Sequence, residues 1–116
     1  MDESWDARTR EFFAGVDERS QQLLDASGNE YAVGMELMGY SMPYLESVEA
    51  AGGLYLIWGA MTDRIDGPRG REPGVEESAI ADMRRAATEW LVTRRTRAAV
   101  QGYLHRWVHD ECGYAR

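Results

Sequence analysis

Charged residues are scarce in the middle of the chain. Residues 31–61 contain only Glu36, Glu46 and Glu49, whereas the whole chain has 13 basic and 20 acidic residues. A soluble protein keeps its charges in water and buries its apolar segments. We therefore predict that residues 31–61 supply most of the buried surface and form the centre of the fold.

The first part of this segment is predicted to be a helix with two apolar sides. Asn29 before it is a good N-cap residue, and Pro43 after it breaks a helix. At about 100° per residue, one side holds Tyr31, Met35, Met38 and Met42, and the other holds Val33, Leu37 and Tyr40. Such a helix is covered on both sides, either inside the domain or between two chains. A strand over residues 31–37 also fits the alternation and stays open as the alternative.

Further elements are predicted on both sides of this helix. A helix over residues 4–26 ends at Gly28, because glycine readily adopts the left-handed conformation that closes a helix. Another helix is expected from about Met42 to residues 52–53, two glycines that either end it or let a neighbouring backbone approach. Residues 54–58 are apolar at every angle and predict a buried element, either helix or strand.

The C-terminal half is predicted to hold a loop and two helices. Residues 63–74 include three glycines, two prolines and three arginines, so we interpret them as a loop that acts as a linker and not as a phosphate site. A helix begins at Val75, and a break near residues 93–96 allows Thr96 to cap a last helix that ends at Gly113.

These elements indicate an all-α fold, a compact domain of four to five helices over residues 1–116. The central segment would be covered by the first helix and by the two C-terminal helices. An α+β fold with a small sheet from residues 31–61 is the alternative.

The charge balance disfavours a nucleic-acid partner, because the formal net charge is −7. The charges are also uneven: residues 1–30 hold eight acids and three arginines, and residues 93–109 hold four arginines and no acid. The patch of Arg94, Arg95 and Arg97 is therefore expected at a solvated bend or paired with the acidic first helix.

No apolar run is long enough to predict a membrane span, and the acidic start does not suggest a secretory signal. A single cysteine, Cys112, cannot form an internal disulfide. We therefore expect a cytoplasmic protein without membrane association.

One candidate metal site lies on the last predicted helix. His105, His109 and Cys112 follow one another at i, i+4 and i+7, which places three metal-capable side chains on one helix face. They lie to the side of the apolar stripe, and a tetrahedral site needs a fourth ligand from elsewhere. Two surface histidines and a half-buried thiol are the favoured interpretation.

A second candidate metal site consists of two carboxylate pairs, Glu46 with Glu49 and Asp63 with Asp66. Carboxylates at helical spacing are the kind of arrangement with which all-α nucleotide pyrophosphohydrolases hold magnesium over a triphosphate. The sequence between the pairs does not otherwise resemble that family, and solvated acids at helix margins are the favoured interpretation.

Methionines and aromatic residues are concentrated in the central segment. They are candidates for an apolar ligand pocket, for a dimer interface or for plain core. The candidate ligand-binding residues are Tyr31, Met35, Met38, Tyr40, Met42, Tyr55 and Trp58, with Tyr44 and Met61 in the same cluster.

The sequence contains no specific catalytic or cofactor signature, so we expect no cofactor. The favoured hypothesis is a non-enzymatic interaction or regulatory protein that forms a homodimer or binds another protein, because apolar surface is abundant and catalytic groups are not. A metal-dependent enzyme of the pyrophosphohydrolase type and a binder of an apolar small molecule are the alternatives.

Overall fold

A computed structural model describes residues 5–25 and 27–113, and within these residues the chain forms α-helices and no strand. The helices are α1 Ala7–Asp25, α2 Glu30–Ser41, α3 Ala51–Asp66, α4 Val75–Val92 and α5 Arg97–His105. A 3-10 turn, Met42–Tyr44, follows α2, and a π-helical segment, Arg106–Glu111, continues α5. The predicted all-α fold is confirmed, and the small sheet proposed as an alternative is not formed by the described residues.

Local signals position α1 and α5 as the sequence predicts. Asp6 precedes α1 and its carboxylate accepts the Thr9 N–H at 2.8 Å. This hydrogen bond holds the pKa of Asp6 below its usual value. Thr96 is the N-cap of α5, where its hydroxyl accepts the Ala99 N–H at 3.2 Å. Each interaction satisfies an amide that would otherwise lack a partner in the first helical turn.

α2 packs along α3 in the antiparallel sense. At one end the Tyr31 hydroxyl donates to Asp66 at 2.6 and 2.7 Å. One turn further along α2, a Cβ on Gly34 would lie 3.2 Å from Cγ2 of Thr62. Glycine at this position lets the two helices approach closely, and the contact fixes which side of α2 faces the interior.

The helix predicted from about Met42 to residues 52–53 is wrong. Only Met42–Tyr44 form a helical turn there, and both glycines lie inside the first turn of α3. Gly53 has a packing role, because a Cβ at this residue would approach Cδ2 of Leu104 on α5 to 3.0 Å. The two glycines therefore begin a helix and admit a neighbour.

The predicted loop begins later than expected, because α3 continues to Asp66. Pro68 explains this boundary. A residue that precedes proline is driven away from the helical conformation, and Gly67 is extended with ψ 176°. Asp63 and Asp66 consequently belong to the last turn of α3 and not to the loop.

The core includes many residues from outside the central segment, residues 31–61. From α3 it contains Trp58 and Ile57, but α1 contributes Phe12 and Phe13, and α4 and the C-terminal segment contribute their own fully buried residues, among them Met83, Ala86, Ala87, Trp90 and Trp107. The small alanines on α4 allow it to pack against the rest of the core. The prediction that residues 31–61 form most of the buried surface is therefore too narrow. None of the described helices is both long and apolar enough to cross a bilayer.

Candidate interaction surface

The outer side of α2, α3 and the turn between them exposes large apolar side chains. Five large hydrophobic residues are exposed in the described chain, and four of them lie here: Met35, Met42, Leu45 and Leu56. Half-buried residues on the same side are Tyr31, Met38, Tyr55, Gly59 and Ala60. We call these nine residues the α2–α3 face. The fifth exposed residue, Val92, lies at the end of α4.

The face exists because α2 has two apolar sides and only one of them is covered by the chain. Val33, Leu37 and Ser41 point into the core. The side with Met35 and Met42 points outward, and these residues are 36% and 54% exposed. Of the two predicted alternatives, coverage of both sides inside the domain is therefore wrong for the described residues, and coverage between two chains stays a prediction.

Two glycines make the face open to a close approach. Gly39 of α2 and Gly52 of α3 both lie within helices, and no heavy atom lies within 4 Å of the position that a Cβ would take at either residue. Met38 lies between the two helices, with its sulfur 3.4 Å from the Cβ position of Gly59. The surface therefore leaves the backbone accessible at Gly39 and Gly52.

Carboxylates mark the two ends of the face. Glu46 is exposed in the turn before α3, and Asp63 is exposed in the last turn of α3. Neither side chain has an ion-pair or hydrogen-bond partner among the residues that the structure describes. Asp66 accepts a hydrogen bond from the neutral Tyr31 hydroxyl, which raises the pKa of Tyr31. No arginine of the described residues therefore forms an ion pair with the carboxylates at the ends.

The structure does not bring the two predicted carboxylate pairs together. Glu46 and Glu49 precede α3, whereas Asp63 and Asp66 lie in its last turn, and Asp63 is about 18 Å along the helix axis from the first residue of α3. Glu49 is paired with Arg97. Across residues 5–25 and 27–113, no three or more His, Cys, Asp or Glu side chains form a group that could hold a metal ion.

The predicted histidine and cysteine site is also not assembled as expected. The rings of His105 and His109 lie 4.7 Å apart, but Cys112 follows the π-helical segment, where its N–H donates to the Trp107 carbonyl. The alignment expected of an α-helix at i, i+4 and i+7 does not hold across this wider turn.

Cys112 lies in a cleft of about 520 Å³ that also contains Asp63, Arg64, Asp82 and Glu111. Burial raises the pKa of its thiol to about 11. At neutral pH the thiol is therefore protonated, and a protonated thiol is a weak nucleophile and a weak metal ligand.

The candidate ligand-binding residues are divided among three environments, so they do not line one pocket together. Trp58 is in the core. Tyr40 lies against α1, stacked on Phe12 with ring centroids 5.7 Å apart and with the Arg19 guanidinium 3.9 Å from its centroid. The other five residues, Tyr31, Met35, Met38, Met42 and Tyr55, belong to the α2–α3 face.

A cleft of about 610 Å³ lies between the end of α3, the following loop and the start of α4. Its possible anion-binding groups are the guanidinium groups of Arg64 and Arg69 and the hydroxyl of Ser78. These groups are already engaged. Arg64 donates to Asp82 at 2.6 Å and to Ser78 at 2.9 Å, and Arg69 donates to Glu72 at 2.8 Å. The arrangement offers little unpaired positive charge to an anion.

Sequence reasoning missed Leu45, Leu56 and the two open glycines as parts of a surface. The low charge of residues 31–61 indicates an apolar segment, but it does not distinguish buried side chains from exposed ones. In comparisons with known proteins, no family model, no curated protein and no solved structure matches the chain.

Proposed function

We propose that this chain is a non-enzymatic interaction protein that binds its partner through the α2–α3 face. The observation that carries the proposal is the concentration of exposed apolar side chains there, four of the five in the described chain. Contiguous apolar surface on a soluble protein usually marks an interaction site, because its exposure to water is unfavourable.

The proposal does not include catalysis, because several buried or half-buried groups that could carry it are engaged in structural contacts or are unreactive. Glu89 pairs with Arg106 and accepts the Trp107 indole N–H at 3.1 Å. Asp17 accepts the Trp90 indole N–H at 2.7 Å and pairs with Arg95. The Cys112 thiol is held in its neutral form by burial. A free cysteine thiol suits the cytoplasmic location that we propose with this function.

Self-association is the simplest use of the face, and the proposal includes a homodimer. A two-helix face of this length offers roughly 500 Å² per chain, which is small beside the roughly 800 Å² of a standard interface. A second copy would also place Glu46 and Asp63 near the same carboxylates of its partner. We therefore expect a weak dimer that high salt strengthens by screening this repulsion.

The experiment measures mass by light scattering, up to hundreds of micromolar protein, at low and high salt. We expect reversible dimer formation at high salt, and we expect Leu56→Glu to abolish it because the charge would be buried at the contact. Val92→Glu is the matched control, since Val92 is 77% exposed and lies outside the face.

Association that is lost equally in both variants would contradict the assignment of the face. A monomeric wild type at every concentration would contradict self-association and leave binding of another protein as the remaining use of the face.

A further inference from the structure

The centre of the α2–α3 face suits an apolar helix. Met35, Met38 and Met42 present flexible, polarisable thioether groups that adapt to side chains of different shape. Gly39 and Gly52 leave the backbone open on either side of them. A helix could therefore rest between α2 and α3 with its apolar residues at i, i+3 or i+4 and i+7 against the methionines.

The charge at the ends of the face selects among helices. Glu46, Asp63 and Asp66 are acidic. Of the arginines that follow Asp63 and Asp66 in the sequence, Arg64 pairs with Asp82 and Arg69 pairs with Glu72, while Arg71 lines a separate cleft with Glu76 and Glu77. The whole chain also has a net charge of −7. The field around the face is therefore negative, which attracts a cationic partner and repels anionic ones.

We infer that the preferred partner of the α2–α3 face is a basic amphipathic helix of another protein. This inference rests on the proposed function and adds the chemistry of the partner. Asp63 lies about 18 Å along α3 from its first residue, Ala51, and Glu46 lies in the turn before that residue, so a bound helix needs at least about 12 residues to reach both ends. The partner helix accordingly carries Lys or Arg near both ends of an apolar stripe of that length. A second copy of this chain lacks this complementarity.

The test uses the whole chain and a synthetic helical peptide of about 18 residues. The peptide has leucines at i, i+3 or i+4 and i+7, lysines near both ends, and a fluorescent label for anisotropy. A second peptide has glutamate in place of every lysine. We expect the lysine peptide to bind at least tenfold more tightly at about 50 mM salt, and we expect the difference to shrink at about 500 mM salt.

Variants of the chain locate the binding site. The double variant Glu46→Gln, Asp63→Asn removes one charge from each end and is expected to weaken binding of the lysine peptide about fivefold or more and to flatten its salt dependence. The matched control is Glu18→Gln, Glu77→Gln, which removes the same charge from exposed residues of α1 and α4. We expect it to change binding less than twofold. Circular dichroism checks that each variant is folded.

Three results would overturn the inference. The first is equal binding of the lysine and glutamate peptides, or no binding of either. The second is an equal loss in the two double variants, which would mean that only net charge matters. The third is tighter binding to vesicles rich in anionic lipid than to the lysine peptide. If the chain dimerises through the face at high salt but does not bind the lysine peptide, this result would contradict this inference alone. A chain that does neither would contradict the proposed function as well.

Discussion

The two sides of this molecule use their charges in opposite ways. Where α1, α4 and α5 meet, acidic side chains form ion pairs with arginines and accept hydrogen bonds from tryptophan N–H groups. On the α2–α3 face, apolar side chains are exposed, and the carboxylates of Glu46 and Asp63 have no partner among the described residues. The chain pairs its own charges on one side and leaves apolar side chains and carboxylates exposed on the other, where we propose that a partner binds.

Arg95 illustrates how fully the charges are paired where α1, α4 and α5 meet. Its guanidinium pairs with Asp17, donates to the Trp90 carbonyl at 2.9 Å and lies 4.1 Å from the centroid of the Trp90 ring. Its own carbonyl accepts the indole N–H of Trp5 at 2.8 Å. The predicted pairing of the arginine patch with the acidic first helix is confirmed for Arg95.

The largest expected difference between the two sides is in stability. Trp58→Ala should lower the free energy of unfolding by about 3 to 5 kcal/mol, because it leaves a cavity in a closely packed core. Met42→Ala should change it by less than about 0.5 kcal/mol, because Met42 is 54% exposed. Urea melts measure both values. A comparable cost for Met42→Ala would show that the face is closed within the chain.

The next effect concerns the reactivity of Cys112. Its pKa of about 11, against a usual value of 9.0, reduces the thiolate fraction at neutral pH about a hundredfold. A thiolate of higher pKa is also more nucleophilic, so iodoacetamide should alkylate the folded chain at least about tenfold more slowly than the urea-unfolded chain at pH 8, and the rate should keep rising as the pH increases towards 11. Equal rates in the folded and unfolded chains would mean that the cleft does not shield the thiol.

A smaller effect is expected where α4 holds the connection between α1 and α2. Arg84 donates to the Leu24 carbonyl at 3.0 Å and pairs with Glu30, whose side chain is only 7% exposed. Arg84→Met leaves a buried carboxylate without its cation and should cost about 2 kcal/mol. Adding Glu30→Gln should recover part of this loss in thermal or urea melts. A double variant that is less stable than the single one would contradict this account.

The smallest effects come from two glycines and have opposite signs. A Cβ on Gly15 would overlap the hydroxyl and ring of Tyr40, so Gly15→Ala should cost about 1 to 3 kcal/mol. Gly39→Ala meets open space on the α2–α3 face and should add about 0.5 to 1 kcal/mol through better helix propensity.

The same Gly39→Ala substitution should weaken self-association if a neighbouring helix approaches at this position. Light scattering beside a urea melt would therefore show a more stable chain that associates less. Stability and association that rise together would contradict a close approach at Gly39.

The sequence predicts the one-sided helices well because each carries its own stop and start signals. Thr96 caps α5, as predicted, and α4 begins at Val75, as predicted. Trp5 is an exception. Although it precedes the first turn of α1, it is buried, and its indole N–H is hydrogen-bonded to a residue 90 positions away. Such a contact leaves no local signal in the sequence.

The α2–α3 region was harder to predict because its two apolar sides look alike in the sequence. Which side is buried depends on the fit of Gly34 against Thr62 of α3, a contact between helices. Gly53 misleads for the same reason, since its close contact with Leu104 is decided by the position of α5. The charges at the ends of the face could be found from the sequence, but their lack of partners could not.

The contact between Glu30 and Arg84 also has a consequence for the order of folding. The carboxylate of Glu30 accepts the Gly28 N–H at 2.9 Å, which closes the connection between α1 and α2. Its other oxygen meets Arg84, 54 residues further along the chain. An isolated hairpin of α1 and α2 would therefore lack the cation that meets Glu30 in the complete chain, and we expect this hairpin to become stable only when α4 is present.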